Sequence, residues 1–337
     1  MGNYLGSCPE PLTQLLRCAG VIGSSGNHPD GITVNGTSYT TIKLIGEGGY
    51  AFVYEGFNNV NGQRVALKRY ICSGDTQCRD VNEEIDIYRS MSPSASVVTY
   101  YDSEVITRRN TSEPEIWITM EYCEGPSLQD YINTRIQLSE SFSVKEVYEI
   151  IDNVVQAIGH LHSQSPPISH WDIKPDNFLF THGGILKLCD FGSASRIYYE
   201  PKREAHISAA QDELNSKMTL LYRAPESLDL WSKQRIDTKA DIWSLGVLIY
   251  VLVFCEMPFE ANTVEIIDGV PRRFRSEINS CPEPFAPLMA VVMKTMLVKD
   301  PQKRADIFTV SEALSQITKL DSLTRPSEGL ETQRPRF

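Results

Sequence analysis

Residues 170–177 concentrate charged and amide side chains in the order His-Trp-Asp-Ile-Lys-Pro-Asp-Asn. Asp190-Phe191-Gly192 follows eighteen residues after Asp172, directly behind the apolar run 185–189. This spacing gives two carboxylates and an amide that could bring a divalent metal ion and a hydroxyl group together. Phosphoryl transfer requires little covalent chemistry from a protein, but it needs a metal ion, positive charge and a base near the attacking oxygen. These residues therefore predict phosphoryl-transfer chemistry.

A glycine-rich segment lies earlier in the chain, where residues 46–53 read Gly-Glu-Gly-Gly-Tyr-Ala-Phe-Val. Glycines let backbone amides approach phosphate oxygens closely. A strand rather than a helix is predicted to follow, which excludes the dinucleotide-binding fingerprint, and no Gly-Lys-Ser/Thr ends the segment as in a P-loop. On these residues alone, a glycine-rich hairpin without a ligand stays an open alternative.

Lys68 ends the apolar run Val65-Ala66-Leu67 on the next predicted strand. There its amine could reach bound phosphates, or it could be an edge-strand lysine in water. Glu84, on the predicted helix that follows, could pair with Lys68 or lie on a solvated helix face.

Strand and turn patterns dominate the first part of the chain. Asn35-Gly36 suits a tight two-residue hairpin turn between Ile32–Val34 and the residues from Ser38. Alternation and turn residues predict further strands at 41–45, 52–57, 64–70, 97–105 and 116–122, with a helix at about 76–91.

The rest of the chain has helical periodicity. Ser143-Val-Lys-Glu146 is a capping-box pattern that opens a helix. The apolar run 242–255 is too short to span a bilayer and predicts a buried helix, and two more helices are expected at about 284–296 and 308–320. We therefore divide the chain into a flexible tail (1–36), a small β-rich lobe (37–122), a helical lobe (123–320) and a C-terminal tail (321–337).

Composition narrows the class of protein. The 337 residues carry a formal net charge of −11, which argues against broad nucleic-acid binding. The 8 cysteines form no C-x-x-C pair and no zinc-type spacing, so we expect reduced thiols in a cytosolic protein.

Five motifs in one order resemble the signature set of protein kinases: the glycine-rich loop, Val65–Lys68, His170–Asn177, Asp190–Gly192 and Ala224-Pro225-Glu226. The resemblance covers about residues 37–320. Segments 46–54, 166–168, 188–194, 222–226 and 236–246 resemble the Numb-associated kinase family, as does the step from Glu226 to Asp241, which fits that family's extra helix after the activation segment. The N-terminus looks most like the myristoylated and palmitoylated branch of that family.

The resemblance implies an α+β, bilobal, protein-kinase-like fold with ATP in the cleft and Mg²⁺ as metal ion. It implies that Asp172 accepts or orients the substrate hydroxyl proton, that Lys174 neutralises the transferring phosphoryl group, and that Asn177 and Asp190 bind magnesium. Lys68 would hold the α and β phosphates and be fixed by Glu84. The residues implied around the nucleotide are Ile45, Gly46, Glu47, Gly48, Gly49, Tyr50, Ala51, Phe52, Val53, Ala66, Met120, Glu121, Cys123 and Leu179.

Lys174-Pro175-Asp176-Asn177 resembles the serine/threonine class rather than the tyrosine class. The resemblance also implies that Thr219 lies beside the catalytic loop, that Glu226 pairs with Arg304, and that Asp241 braces the loop.

Trp171 departs from the kinase pattern, which usually has arginine there to receive an activation-loop phosphate. Either the enzyme needs no such phosphate, or the chain is a damaged kinase; Arg223 is another basic residue that could take the phosphate.

We therefore expect an ATP- and magnesium-dependent serine/threonine protein kinase, with a pseudokinase or scaffold as the alternative. Its partners would be protein substrates, not nucleic acid, and vesicle-trafficking proteins are implied by the family resemblance alone. The expected location is cytoplasmic, with N-terminal acylation holding the protein on the cytoplasmic face of membranes.

Acylation at Gly2 and Cys8 is a prediction of its own. Gly2 suits myristoylation, although Gly6 stands where the usual motif has Ser or Thr. A myristoyl chain alone binds membranes with only about 10⁴ M⁻¹ and needs a second signal, for which Cys8 is the candidate because Arg17 is the only Lys or Arg before residue 37. Cell fractionation should find wild type on membranes, Gly2→Ala in the cytosol and Cys8→Ser weakly bound; equal distribution of the three proteins would contradict the prediction.

Overall fold

The computed structural model describes residues 31–48, 51–72, 74–107, 113–201, 204–274 and 281–324. The chain divides into two compact units. The first contains the described residues up to Val81 together with Tyr100–Tyr122, and the second contains Asn82–Thr99 and the described residues from Cys123 onward.

The first unit is built on a six-stranded antiparallel sheet in the order β1-β2-β3-β4-β6-β5. The strands are β1 (Gly31–Val34), β2 (Thr37–Glu47), β3 (Ala51–Asn58), β4 (Arg64–Ile71), β5 (Tyr100–Ile106) and β6 (Glu115–Glu121).

The β1–β2 turn confirms the predicted hairpin, because Asn35 and Gly36 both have positive φ, at 45° and 79°. Asn35 also links the two edge strands of the sheet, β1 and β5. Its side-chain Nδ2 donates to Asp102 Oδ1 at 2.7 Å, and its backbone N–H donates to Glu104 Oε2 at 2.7 Å. β1 therefore belongs to the sheet, although residues 31–34 fall within the predicted flexible tail.

Side chains of alternating residues on β4 face opposite sides of the sheet. Val65 and Leu67 enter an apolar core with Val34, Tyr54 and Trp117. Ala66 and Lys68 alternate with them and so project from the other face. Helix α1 (Asp75–Met91) follows β4, as predicted, and runs from the first unit into the second.

The second unit is mainly helical, with one small hairpin. Its helices are α2 (Leu128–Leu138), α3 (Val144–His162), α4 (Glu204–Lys217), α5 (Pro225–Leu228), α6 (Lys239–Phe254), α7 (Thr263–Asp268), α8 (Ala286–Val291) and α9 (Ile307–Thr324). Strands β7 (Phe178–Phe180) and β8 (Leu186–Leu188) form the hairpin.

Two helix predictions are confirmed in detail. Ser143 caps α3 with the reciprocal hydrogen bonds to Glu146 that define a capping box. Helix α6 is buried on nearly every face, with every residue from Ala240 through Leu252 buried. Among the described residues, no helix combines the length and apolarity that crossing a membrane requires.

The structure corrects two predictions about elements. The strand expected at 97–105 begins only at Tyr100, because Val97 forms a parallel bridge with Leu188 instead. Helices α2 and α4 were not predicted. The extra helix expected between Glu226 and Asp241 is absent, since that described stretch contains only the short α5 and a 3₁₀ turn at Leu230–Ser232, whereas the 14-residue α4 lies ahead of Glu226.

The fold is α+β and bilobal, with a small β-sheet unit and a larger helical unit, as predicted from the sequence.

A glycine in the sheet gives a test of its packing. A Cβ at Gly56 would lie 2.6 Å from the Thr40 carbonyl oxygen and 2.7 Å from a Leu67 methyl group. Gly56→Ala should therefore cost about 1–3 kcal/mol of unfolding free energy, because neither the strand backbone nor the core can yield freely. The measurement is thermal unfolding without nucleotide, with Gly46→Ala as control, since a Cβ there would meet Val53 at an ordinary 3.6 Å. Equal melting temperatures for the two variants would contradict this packing.

Candidate functional site

The glycine-rich segment joins β2 to β3 in the first unit. Gly46 is opposite Val53 and Glu47 is opposite Phe52, and the Gly48 N–H donates to the Ala51 carbonyl at 2.8 Å to close the turn. Gly49 and Tyr50 lie outside the described residues. The segment is thus a hairpin turn between strands, as the sequence predicted.

One face of the first unit's sheet gathers four predicted nucleotide-site residues. Val53 is directly opposite Lys68, and Ala66 is directly opposite Met120. Residues directly opposite each other in antiparallel strands share a face, so these four side chains share the face away from the apolar core. Lys68 is only 7% exposed, and its amine lies 5.1 Å from the centre of the Tyr70 ring.

The other predicted nucleotide-site residues that the structure describes lie elsewhere on the first unit's sheet or in the second unit. Ile45 is exposed on β2, and Glu121 is opposite Val65 at the end of β6. Cys123, Leu179 and the buried Glu84 belong to the second unit. The pairing of Lys68 with Glu84 stays a prediction.

In the second unit, Asp241 binds the backbone at the start of the segment 170–177. This α6 carboxylate is fully buried and accepts hydrogen bonds from the backbone N–H groups of His170 and Trp171, both at 2.8 Å. Nε2 of His162, on α3, lies 2.9 Å from the same carboxylate. The predicted bracing role of Asp241 is confirmed.

Asp172 lies at the centre of a small polar network. Its Oδ1 accepts the Thr219 hydroxyl at 2.6 Å and the Thr219 backbone N–H at 3.3 Å. Its Oδ2 lies 2.8 Å from the Lys174 amine, which also donates to the Thr219 hydroxyl at 2.9 Å. The predicted position of Thr219 beside the loop is confirmed, and Asp172 keeps 13% of its side chain accessible to solvent.

Two hydrogen bonds to Asp172 fix the orientation of the Asn177 side-chain amide. Its Nδ2 donates to the Asp172 carbonyl at 2.7 Å and to Asp172 Oδ2 at 3.1 Å. With Nδ2 engaged twice, the carbonyl oxygen Oδ1 is the atom left to bind a cation.

Asp190 follows β8 in a left-handed backbone conformation, with φ of 60°. Its N–H donates to the Tyr88 hydroxyl at 3.0 Å, and Phe191 packs between the rings of Tyr88 and His170 at 4.7 and 5.3 Å. The N–H of the neighbouring Cys189 donates to the backbone carbonyl of Asn177 at 2.9 Å, which joins the chain just ahead of Asp190 to Asn177. Nothing in the sequence singled out Tyr88.

The donor atoms at Asn177 and Asp190 suit a hard divalent cation. Carboxylate and amide oxygens are ligands that Mg²⁺ accepts, and magnesium sites in phosphoryl-transfer proteins are typically completed by substrate phosphates and water. Within the described part of the chain, no group of three or more His, Cys, Asp or Glu side chains could enclose a metal ion by itself. The residues therefore fit a magnesium ion shared with a phosphate ligand.

The segment between Asp190 and Glu226 is fastened at two backbone bridges, Ser169 with Ser195 and Tyr199 with Ile236. The buried Trp171 indole packs on the Tyr199 ring at 5.2 Å, and the Lys217 amine lies 5.5 Å from the indole centre. Glu213 accepts a hydrogen bond from Lys217 at 2.9 Å. The sequence pattern singles out Trp171, but not Tyr199 and Lys217, which cover its indole.

Glu226 and Arg304 form the predicted ion pair. The guanidinium group binds both carboxylate oxygens, at 2.6 and 2.8 Å, and both side chains are fully buried. The pair joins α5 to the chain just ahead of α9, far along the sequence.

Comparisons with known proteins place these residues in a wider group. Residues 39–316 match the family model described as the protein kinase domain. The chain is 32% identical over 288 residues to a probable serine/threonine-protein kinase of Dictyostelium discoideum, an alignment that covers 84% of this chain and 34% of the relative. Two Saccharomyces cerevisiae proteins are also similar: actin-regulating kinase PRK1 is 32% identical over 85% of this chain and 35% of its own length, and actin-regulating kinase 1 is 30% identical over 84% and 44%. The chain thus matches less than half the length of these relatives.

Proposed function

This chain belongs to the protein kinase domain family, and on that premise we propose that it transfers the γ-phosphoryl group of ATP to serine and threonine hydroxyls of protein substrates. The observation that carries the proposal is the Asp172 carboxylate, which is partly accessible and is held by Thr219, Lys174 and Asn177. The names of the similar proteins support the serine/threonine class.

Asp172 accepts or orients the proton of the attacking hydroxyl in this proposal. A carboxylate with both oxygens already hydrogen-bonded has little freedom to rotate, so it is oriented before the substrate arrives. Lys174 lies against the same carboxylate and supplies positive charge where the phosphoryl group would be transferred.

The nucleotide would be held by the glycine-rich turn and by Lys68 in the first unit. Val53, Ala66 and Leu179 would lie against the adenine, and Met120 would guard the pocket. The remaining residues proposed at the nucleotide keep the roles that the resemblance implies. Asn177 Oδ1 and the Asp190 carboxylate would bind magnesium. A bound magnesium ion neutralises charge on the phosphates and fixes their orientation.

The alternative is a pseudokinase or scaffold that keeps the fold without efficient transfer. Retention of Lys68, Asp172, Asn177 and Asp190 favours the active enzyme, because each is a group that phosphoryl transfer uses.

The finer assignments are also proposals. The motifs at 46–54 and 188–194 support the Numb-associated branch, and with it partners in vesicle trafficking. The names of the yeast relatives suggest actin regulation as a second area in which to seek substrates. We propose a cytoplasmic location, with acylation of Gly2 and Cys8 as the route to a membrane surface; both residues lie outside the described part of the chain.

Removing single groups tests the proposed function. Asp190→Asn and Lys68→Met should each lower phosphoryl transfer to a protein substrate by about 10³-fold or more, because positioning and charge provide most of the rate enhancement. The measurement is incorporation of labelled phosphate from ATP into casein. Matched controls are Lys43→Met, an exposed lysine on β2, and Asp152→Asn on the surface of α3, neither of which should change the rate.

Near-full activity of Asp190→Asn or Lys68→Met would overturn these roles. Wild-type protein that binds ATP but transfers no phosphate would favour the pseudokinase alternative instead.

The environment of Trp171 gives a prediction about regulation. Trp171 cannot bind a phosphate, and its indole is instead covered by Tyr199 and Lys217. Activity should therefore stay within about twofold after phosphatase treatment that mass spectrometry shows to be complete, because the segment is held by packing rather than by a phosphate on arginine. A large loss that returns when residues 193–221 are rephosphorylated would contradict this prediction.

A further inference from the structure

Arg223 lies between α4 and Glu226, four residues after Thr219 and directly after a 3₁₀ turn at Leu220–Tyr222. The side chain turns back toward the end of α4 and is only 6% exposed. Buried arginine is uncommon unless its donors are matched by acceptors.

The acceptors of Arg223 all lie at the C-terminal end of α4. Nε donates to the Met218 carbonyl at 2.9 Å, and Nη2 donates to the same carbonyl at 2.5 Å and to the Asn215 carbonyl at 2.9 Å. Nη1 donates to the Asn215 side-chain oxygen at 2.5 Å. All three guanidinium nitrogens thus donate hydrogen bonds, and their acceptors belong to only two residues, Asn215 and Met218.

This arrangement suits the physics of a helix end. The last carbonyls of a helix lack partners within the helix and carry partial negative charge, so a cation there is stabilising. Arginine can bind two carbonyls and a side-chain oxygen at once, whereas lysine is a single point charge. With its donors committed here, Arg223 is not arranged to take the phosphate that Trp171 cannot bind.

Met218 connects this helix end to Asp172. The residue after Met218 is Thr219, whose N–H and hydroxyl both donate to Asp172 Oδ1. The Thr219 hydroxyl also accepts a hydrogen bond from the Lys174 amine. A shift of the Met218 carbonyl would therefore move Thr219 away from Asp172.

We propose that Arg223 is a positioning residue for phosphoryl transfer, which acts by fixing Met218 so that Thr219 orients Asp172. The expected effect on rate rests on the proposed function, whereas the link from Arg223 through Met218 and Thr219 to Asp172 does not. Desolvation by burial, opposed in part by the nearby Asp172 charge, lowers the pKa of Arg223.

The first test is Arg223→Lys, which keeps the charge and loses the multiple contacts. Its kcat for casein phosphorylation, counted per ATP-binding site, should fall about 10- to 100-fold while the KM for ATP stays within about twofold, because the nucleotide contacts are elsewhere. Counting only molecules that bind ATP removes the contribution of unfolded protein. The matched control is Arg235→Lys, an arginine that stacks on Tyr198 and pairs with Asp237, and it should match wild type.

A second variant tests the route through α4. Asn215→Ala removes the side-chain acceptor of Arg223 and should lower kcat in the same direction by a smaller factor. The double variant should be no slower than Arg223→Lys alone, since coupled groups are not additive. Effects that multiply, or a wild-type kcat in Arg223→Lys, would overturn the proposal.

Hydrogen–deuterium exchange gives a readout that needs no activity. Arg223→Lys should speed amide exchange in peptides that cover residues 214–222 and also 170–177, whereas Arg235→Lys should not. Unchanged exchange at 170–177 would overturn the proposal even if the wild-type chain transferred no phosphate. If wild type transferred no phosphate but exchange changed as predicted, the proposed function would be wrong, and the structural link from Arg223 to Asp172 would still be supported.

Discussion

The buried carboxylate of Asp241 is the constraint on which the second unit's site depends. An ionised group without access to water is costly to bury unless hydrogen bonds replace its hydration. Here the replacement comes from the N–H groups of His170 and Trp171 and from the His162 ring. Because these partners belong to the segment 170–177 and to α3, the cost of burying the charge is offset only when that segment has this conformation.

The loop conformation then determines where the reactive groups lie. Trp171 has a positive φ of 62°, a conformation that costs energy for a tryptophan and persists because Asp241 holds its N–H. Its indole can then pack on Tyr199, and Asp172 follows it into the network of Thr219, Lys174 and Asn177. The strained backbone of Trp171 is thus coupled to the orientation of Asp172.

Local chemistry explains what the sequence could predict. The Asn35-Gly36 turn, the capping box at Ser143 and the buried α6 each depend on residues close together in the chain, and each was predicted. The motif residues Asp172, Asn177 and Asp190 were found for the same reason: they follow one another along a short stretch. The ion pair of Glu226 with Arg304 was expected only because the chain resembles protein kinases.

Contacts between distant residues explain what the sequence did not predict. Val97 looks like a strand residue but bridges Leu188, and no local pattern announces that partner. Helix α4 does carry a signal, since the buried Ile207, Ala210 and Leu214 recur at helical spacing, but one of the three is only an alanine. The role of Tyr88, whose hydroxyl receives the Asp190 N–H, appears only once the chain is folded.

In the function that we propose, the Asp172 network transfers phosphate to aliphatic hydroxyls. The most direct measurement incubates the purified chain with γ-labelled ATP, magnesium and casein, followed by phosphoamino-acid analysis of the product. We expect labelled phosphoserine and phosphothreonine from wild type and none from Asp172→Asn, with ATP binding unchanged in the variant. Label on tyrosine, or equal transfer by Asp172→Asn, would contradict it.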